Sequence, residues 1–123
     1  MWLNINNLVD GEDPQQNPSP LIARYREAVI IVVKVENHHC PYDVGARQGV
    51  VIVNNSEPVS VYLPDTGFGK MLRVKATGNC SEEAPITLHP PDGKTIDGEA
   101  SLVLTLPYSS VILVSDETGW LIF

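Results

Sequence analysis

The sequence is short of cysteines, aromatics and basic residues, and each shortage narrows what the chain can be. Two cysteines in 123 residues, Cys40 and Cys80, cannot build a disulfide framework, and a reducing cytosol would keep them as free thiols. Eight Lys and Arg face fifteen Asp and Glu, a formal net charge of −7. Each phosphate contact needs a basic group, so no nucleic-acid partner is expected. The same balance opposes adhesion to an anionic membrane surface. The longest apolar run, Ala28 to Val33, is far below the ~20 residues of a bilayer span, so no membrane partner is expected. Met1-Trp2-Leu3-Asn4-Ile5-Asn6-Asn7 has no basic n-region and no long apolar core, so a secretory signal is not expected either. A sustained 3.6-residue apolar period is also missing. Only Leu21 to Glu27 has room for a helical turn.

What is present falls into two parts. Residues 1–22 begin with the apolar Trp2, Leu3, Ile5, Leu8 and Val9, then pass through a polar stretch holding Pro14, Pro18 and Pro20. Prolines fix φ and remove backbone donors, so this stretch reads as an extended spacer. An apolar cluster, a spacer and then a domain is the layout of an arm. Trp2 favours an arm that contacts a partner over an idle tail.

Residues 23–123 read as short strands separated by turn residues. The apolar segments are Ala28–Glu36, Val50–Val53, Val59–Leu63, Lys70–Ala76, Ile86–Leu88, Leu102–Leu106, Val111–Val114 and Trp120–Phe123, with Pro and Gly in the gaps. Lys70–Ala76 alternates, sending Arg73 and Lys75 outward. The expected fold is all-β: a small antiparallel β-sandwich or barrel-like domain of seven or eight strands, with an extended N-terminal arm.

Val29, Ile30, Ile31, Val32 and Val33 break the alternation that a half-wet strand shows. Both faces of that strand need cover. Two covers are open: a second sheet of the same subunit, or a sister copy, which would make these five residues a subunit interface.

Motifs for chemistry are weak. Asp65-Thr66-Gly67 matches the triplet of aspartic proteases, in which two carboxylates share a proton across a dimer. Pro64 precedes it, however, and Val111-Ile112-Leu113-Val114-Ser115 lacks the Gly that such a fold needs. Leu63-Pro64-Asp65-Thr66-Gly67 also matches a cell-wall sorting signal, without the apolar span and basic tail that signal requires. Gly67-Phe68-Gly69-Lys70-Met71 resembles a phosphate loop but lacks its first Gly and its Ser or Thr. His38-His39-Cys40, with Asp43 and His89, has the residue types of a metal site. Adjacent residues of an extended segment point to opposite sides, so no metal is expected. Asp65, Asp92, Asp97 and Asp116 are placed to close turns. No catalytic residue and no cofactor is expected.

From Val50 to Phe123 the chain carries, in order, Leu63-Pro64, Gly69-Lys70, Ile86-Thr87-Leu88, Thr95-Ile96-Asp97-Gly98, Pro107-Tyr108, Ser110-Val111 and the closing hairpin Val114 to Trp120. This series of strands and turns resembles a β-module of tailed-bacteriophage structural proteins. Asp97-Gly98 supplies the positive-φ turn, and Trp120 returns to cover the core. Glu117 stands where the family usually has Gly after Ser-Asp, leaving Gly119 to supply the flexible position. The resemblance implies a non-enzymatic, homotrimeric virion component, assembled in the host cytoplasm. One form is a capsid decoration (cement) protein, its arm residues Trp2, Leu3, Ile5, Leu8 and Val9 bound to the major capsid protein. Three weak arms on one trimer would then bind by avidity. The alternative is a tail-fibre tip or appendage held by a fibre or baseplate protein. That form would bind a host receptor through loops around Tyr62, Phe68, Tyr108 and Trp120. The chain contains no shaft repeat, which favours the first form.

Overall fold

The computed structural model describes residues 20–25 and 28–123, with side chains from Ile30 onward. Among these residues the fold is all-β, with eleven strands in two sheets and a single 3-10 turn, Asn37–His39. The strands are β1 (Pro20–Tyr25), β2 (Ala28–Glu36), β3 (Tyr42–Asp43), β4 (Gln48–Asn54), β5 (Val59–Tyr62) and β6 (Met71–Ala76). They continue with β7 (Ile86–His89), β8 (Thr95–Ile96), β9 (Leu102–Leu104), β10 (Ser110–Asp116) and β11 (Gly119–Ile122). The large sheet runs β1-β2-β4-β6-β10-β11-β8 and the small one β3-β5-β7-β9.

The expectation of an antiparallel domain is corrected: both sheets are mixed. β2 with β4, β4 with β6 and β8 with β11 are parallel in the large sheet, as are β3 with β5 and β5 with β7 in the small one. The cause is the path of the chain. From β2 to β7 each successive strand lies in the opposite sheet, so neighbours within a sheet are two strands apart in sequence and run the same way. Crossing between layers takes the place of the helical crossover that parallel strands usually need. Among the described strands only β1–β2 and β10–β11 join sequence neighbours within one sheet.

One core lies between the sheets. The large sheet contributes Val33, Val35, Val51, Val53, Leu72, Val74, Leu113 and Trp120, and the small one Tyr42, Val59, Val61, Ile86 and Leu88. β-branched residues dominate because their stiff side chains pack well on a pleated surface. The alternation of β6 is as expected, with Leu72, Val74 and Ala76 buried and Met71 and Arg73 exposed. Leu21 to Tyr25 are in a strand where a helical turn had room: β1 pairs along its whole length with β2, from Pro20 opposite Val33 to Tyr25 opposite Ala28. Residues 20–22, assigned by sequence to the arm, are therefore part of the sheet, while the arm residues Trp2, Leu3, Ile5, Leu8 and Val9 lie outside the described residues.

Of the turns read from sequence, Asp97-Gly98 and the Asp116 hairpin take the expected forms, while the Asp97 carboxylate itself accepts from the distant Ile122 amide at 3.0 Å. Asp97 and Gly98 both have positive φ, and Ile96 and Glu99 exchange backbone hydrogen bonds across them. Asp116 closes the last hairpin by accepting from the Thr118 and Gly119 amides at 2.9 and 3.1 Å. Gly119 supplies the positive φ of that hairpin, at 137°.

Candidate functional site

The pleat of the large sheet sends every second residue away from the core, and the register decides which of these meet. Val32, Val50, Arg73 and Ile112 form one row across β2, β4, β6 and β10. Lys34, Ile52, Lys75 and Ser110 form the next. On the other side Met71, Val114 and Leu121 line up across β6, β10 and β11. Ile30, Val32, Val50, Ile52, Ile112, Val114 and Leu121 are half-buried, and Met71 is 63% exposed. An outer sheet face this rich in Val and Ile is unusual, because the wet side of a sheet ordinarily carries polar residues.

A concavity of about 600 Å³ sits in the middle of this face, lined by Ile30, Gly49, Val50, Met71, Arg73 and Ile112. Ligand-sized clefts span ~300–1,000 Å³. A bulge creates part of it. Ile31 lies opposite Gln48 but Val32 opposite Val50, leaving Gly49 as an extra residue in β4. A side chain there would begin 3.1 Å from the Ile30 Cγ2 methyl, so glycine leaves the hollow open.

The five residues read as a subunit interface divide between the two faces. Val33 is wholly enclosed in the chain's own core, which takes it off the outer surface. Ile31 lies opposite Gln48, whose side-chain oxygen accepts from the Tyr42 hydroxyl at 2.8 Å. Ile30 and Val32 are on the outer face, and the side chain of Val29 lies outside what is described. Alternation was therefore present beneath the unbroken apolar run. One face is covered by the small sheet, and among the described residues nothing covers the other. Val50, Ile52, Ile112 and Val114, which the sequence did not mark as surface residues, complete the patch.

The face is basic as well as apolar. It holds Lys34, Arg73 and Lys75, three of the chain's eight Lys and Arg. Lys75 leans over the Tyr108 ring, its Nζ 5.9 Å from the centroid, and donates to the Tyr108 carbonyl. Among the described residues two carboxylates lie at the margin of this face: Glu36 accepts from Asn54 Nδ2 at 2.9 Å, and Asp116 closes its own turn. Arg73 has only Val50 and Ile112 as its lateral neighbours.

The other candidates are dispersed. Of the loop aromatics, Trp120 is buried and donates its indole N–H to the Pro64 carbonyl. Phe68 and Tyr108 are exposed at opposite ends of the β6–β10 ladder, near Ser115 and Thr77 respectively. Tyr62 stacks on His89 on the outer face of the small sheet, with ring centroids 4.5 Å apart. These four residues form no common surface. His38 and His39 are in a 3-10 turn with rings 4.0 Å apart, not on opposite sides of an extended segment. His39 Nδ1 accepts from the Glu36 amide at 2.9 Å, a local structural role. Among the described residues no group of three His, Cys, Asp or Glu side chains is placed to hold a metal ion. Asp65 is exposed and lies 3.8 Å from Lys94. No helix among the described residues is long and apolar enough to cross a membrane. Compared with known proteins, the chain matches no family and no curated relative.

Proposed function

We propose that this chain is a non-enzymatic structural protein of a tailed-phage virion, a homotrimeric capsid decoration protein. The observation that carries the reading is the half-exposed apolar outer face of the large sheet. Such a face needs a partner surface, and in a small domain a sister copy is the partner at hand. Ile30 and Val32 of β2, with Val50, Ile52, Ile112 and Val114, would lie at the contact between copies. The arm residues Trp2, Leu3, Ile5, Leu8 and Val9, joined to the sheet at Pro20, would reach the major capsid protein. Three arms on one trimer make weak individual contacts sufficient.

The test is binding to heads that lack the protein. Removing residues 1–19 keeps β1 and is expected to leave a folded trimer that no longer binds heads. Full occupancy by the truncated protein would defeat the arm's role. The tail-tip alternative draws less support, because the aromatic residues it relies on do not share a surface.

A further inference from the structure

We infer that the outer face of the large sheet docks a second copy of this chain head-to-tail, against that copy's acidic turn Ser81–Ala84 and edge strand β9. This inference rests on the homo-oligomer reading above and names the surface that fills the hollow. A twofold contact would set the patch against itself. Arg73 is at the middle of the patch, between Val50 and Ile112, with Lys34 and Lys75 either side of Ile52. Pairing that surface with its own image about Arg73 brings cation to cation, with the described carboxylates Glu36 and Asp116 only at its margin, and like charges in a contact select against it. A heterologous contact avoids this repulsion, and a heterologous contact that closes makes a ring.

The counter-surface has the matching composition. Glu82 and Glu83 are exposed on a tight turn held by Ser81 and Ala84, whose amides and carbonyls bond to each other at 3.2 Å. That turn lies beside β9: Cys80 Sγ donates to the Leu104 carbonyl at 3.3 Å, and Ile86 is in register with Leu104. Among the described residues β9 pairs only with β7, and Val103 and the following Leu106 are 49% and 66% exposed. Apolar residues edged by two carboxylates complement apolar residues edged by cations. Placed together, Val103 or Leu106 enters the hollow and Glu82 or Glu83 meets Arg73.

The experiment uses the full chain, sedimentation, and peroxide oxidation of Met71 followed by mass spectrometry across protein concentration. Wild type is expected to assemble, with Met71 oxidation slowing as assembly rises. Arg73→Glu, at an exposed position, is expected to raise the dissociation constant about tenfold or more. Arg73→Glu combined with Glu82→Lys and Glu83→Lys is expected to restore assembly. Normal assembly of Arg73→Glu, or no recovery in the triple variant, overturns the contact. Met71 protection that ignores concentration overturns it too, because the chain's own residues 1–19 would then be the cover. A trimer whose Met71 oxidises at the open rate defeats this contact and leaves the oligomer reading standing. A chain that stays single at every concentration defeats both.

Discussion

The indole N–H of Trp120 points at the carbonyl oxygen of Pro64, 3.1 Å away and fifty-six residues earlier in the chain. It ties the closing strand to the loop between the two sheets from inside the core. Trp120→Phe keeps an aromatic ring but leaves the Pro64 carbonyl without this donor, and should cost about 1–3 kcal/mol. Trp120→Ala also empties the core there and should cost about 3–5 kcal/mol. Urea unfolding of the two variants measures both values.

Gly119 is fixed by its neighbour as well as by its φ. A Cβ there would stand 2.0 Å from the Thr95 carbonyl oxygen, a backbone atom that cannot swing aside. Gly67 also has positive φ, yet nothing lies within 4 Å of its would-be Cβ. Gly119→Ala should therefore destabilise by clearly more than the ~1 kcal/mol scale of an ordinary Gly→Ala change, and Gly67→Ala by much less. Thermal midpoints of the two variants decide it. Equal losses would contradict the close β8–β11 approach.

Much of this closing region was legible in the sequence because its signals are local. Asp97-Gly98, Asp116 and Gly119 each mark a turn through a bond or a φ that involves near neighbours only. The alternation of β6 was legible for the same reason. The parallel pairing of β2, β4 and β6 was not, because a crossing between layers leaves no mark within any one strand. The apolar outer face was half legible. Val29 to Val33 announced that two faces needed cover, but Ile52 and Ile112 join Val32 only through a register spanning four strands. Arg73 was read as outward-facing, and its place between two apolar neighbours came from the same long-range register. β1 was missed because Leu21 to Glu27 is too short for periodicity to separate strand from helical turn.

The hydrogen bonds from Thr118 to the Asp116 carboxylate hold its pKa below the usual carboxylate value. A lowered folded-state pKa stabilises at pH above the unfolded value, and that stabilisation fades as pH falls through the folded value. Asp116→Ala should thus be less stable than wild type at neutral pH, and the gap should close in strong acid. Denaturant midpoints from neutral to acid pH follow it. A gap that does not change with pH would mean that the carboxylate's charge is irrelevant to the turn.

Burial pushes both thiols above the usual cysteine pKa, with Glu57 adding to the effect at Cys40. Neither is a ready nucleophile at neutral pH. Cys80 is wholly enclosed and Cys40 only partly. A thiol reagent should modify Cys40 slowly in the native protein, and Cys80 only when denaturant opens the core. Fast native labelling of Cys80 would contradict its place in the core.

If sister copies cover the outer face of the large sheet, as proposed, the mass of the full chain in solution will show it. Sedimentation equilibrium at micromolar concentration and moderate salt should give three times the 13.5 kDa of one chain. A mass of 13.5 kDa that persists as the concentration is raised would mean that no sister copy covers the face.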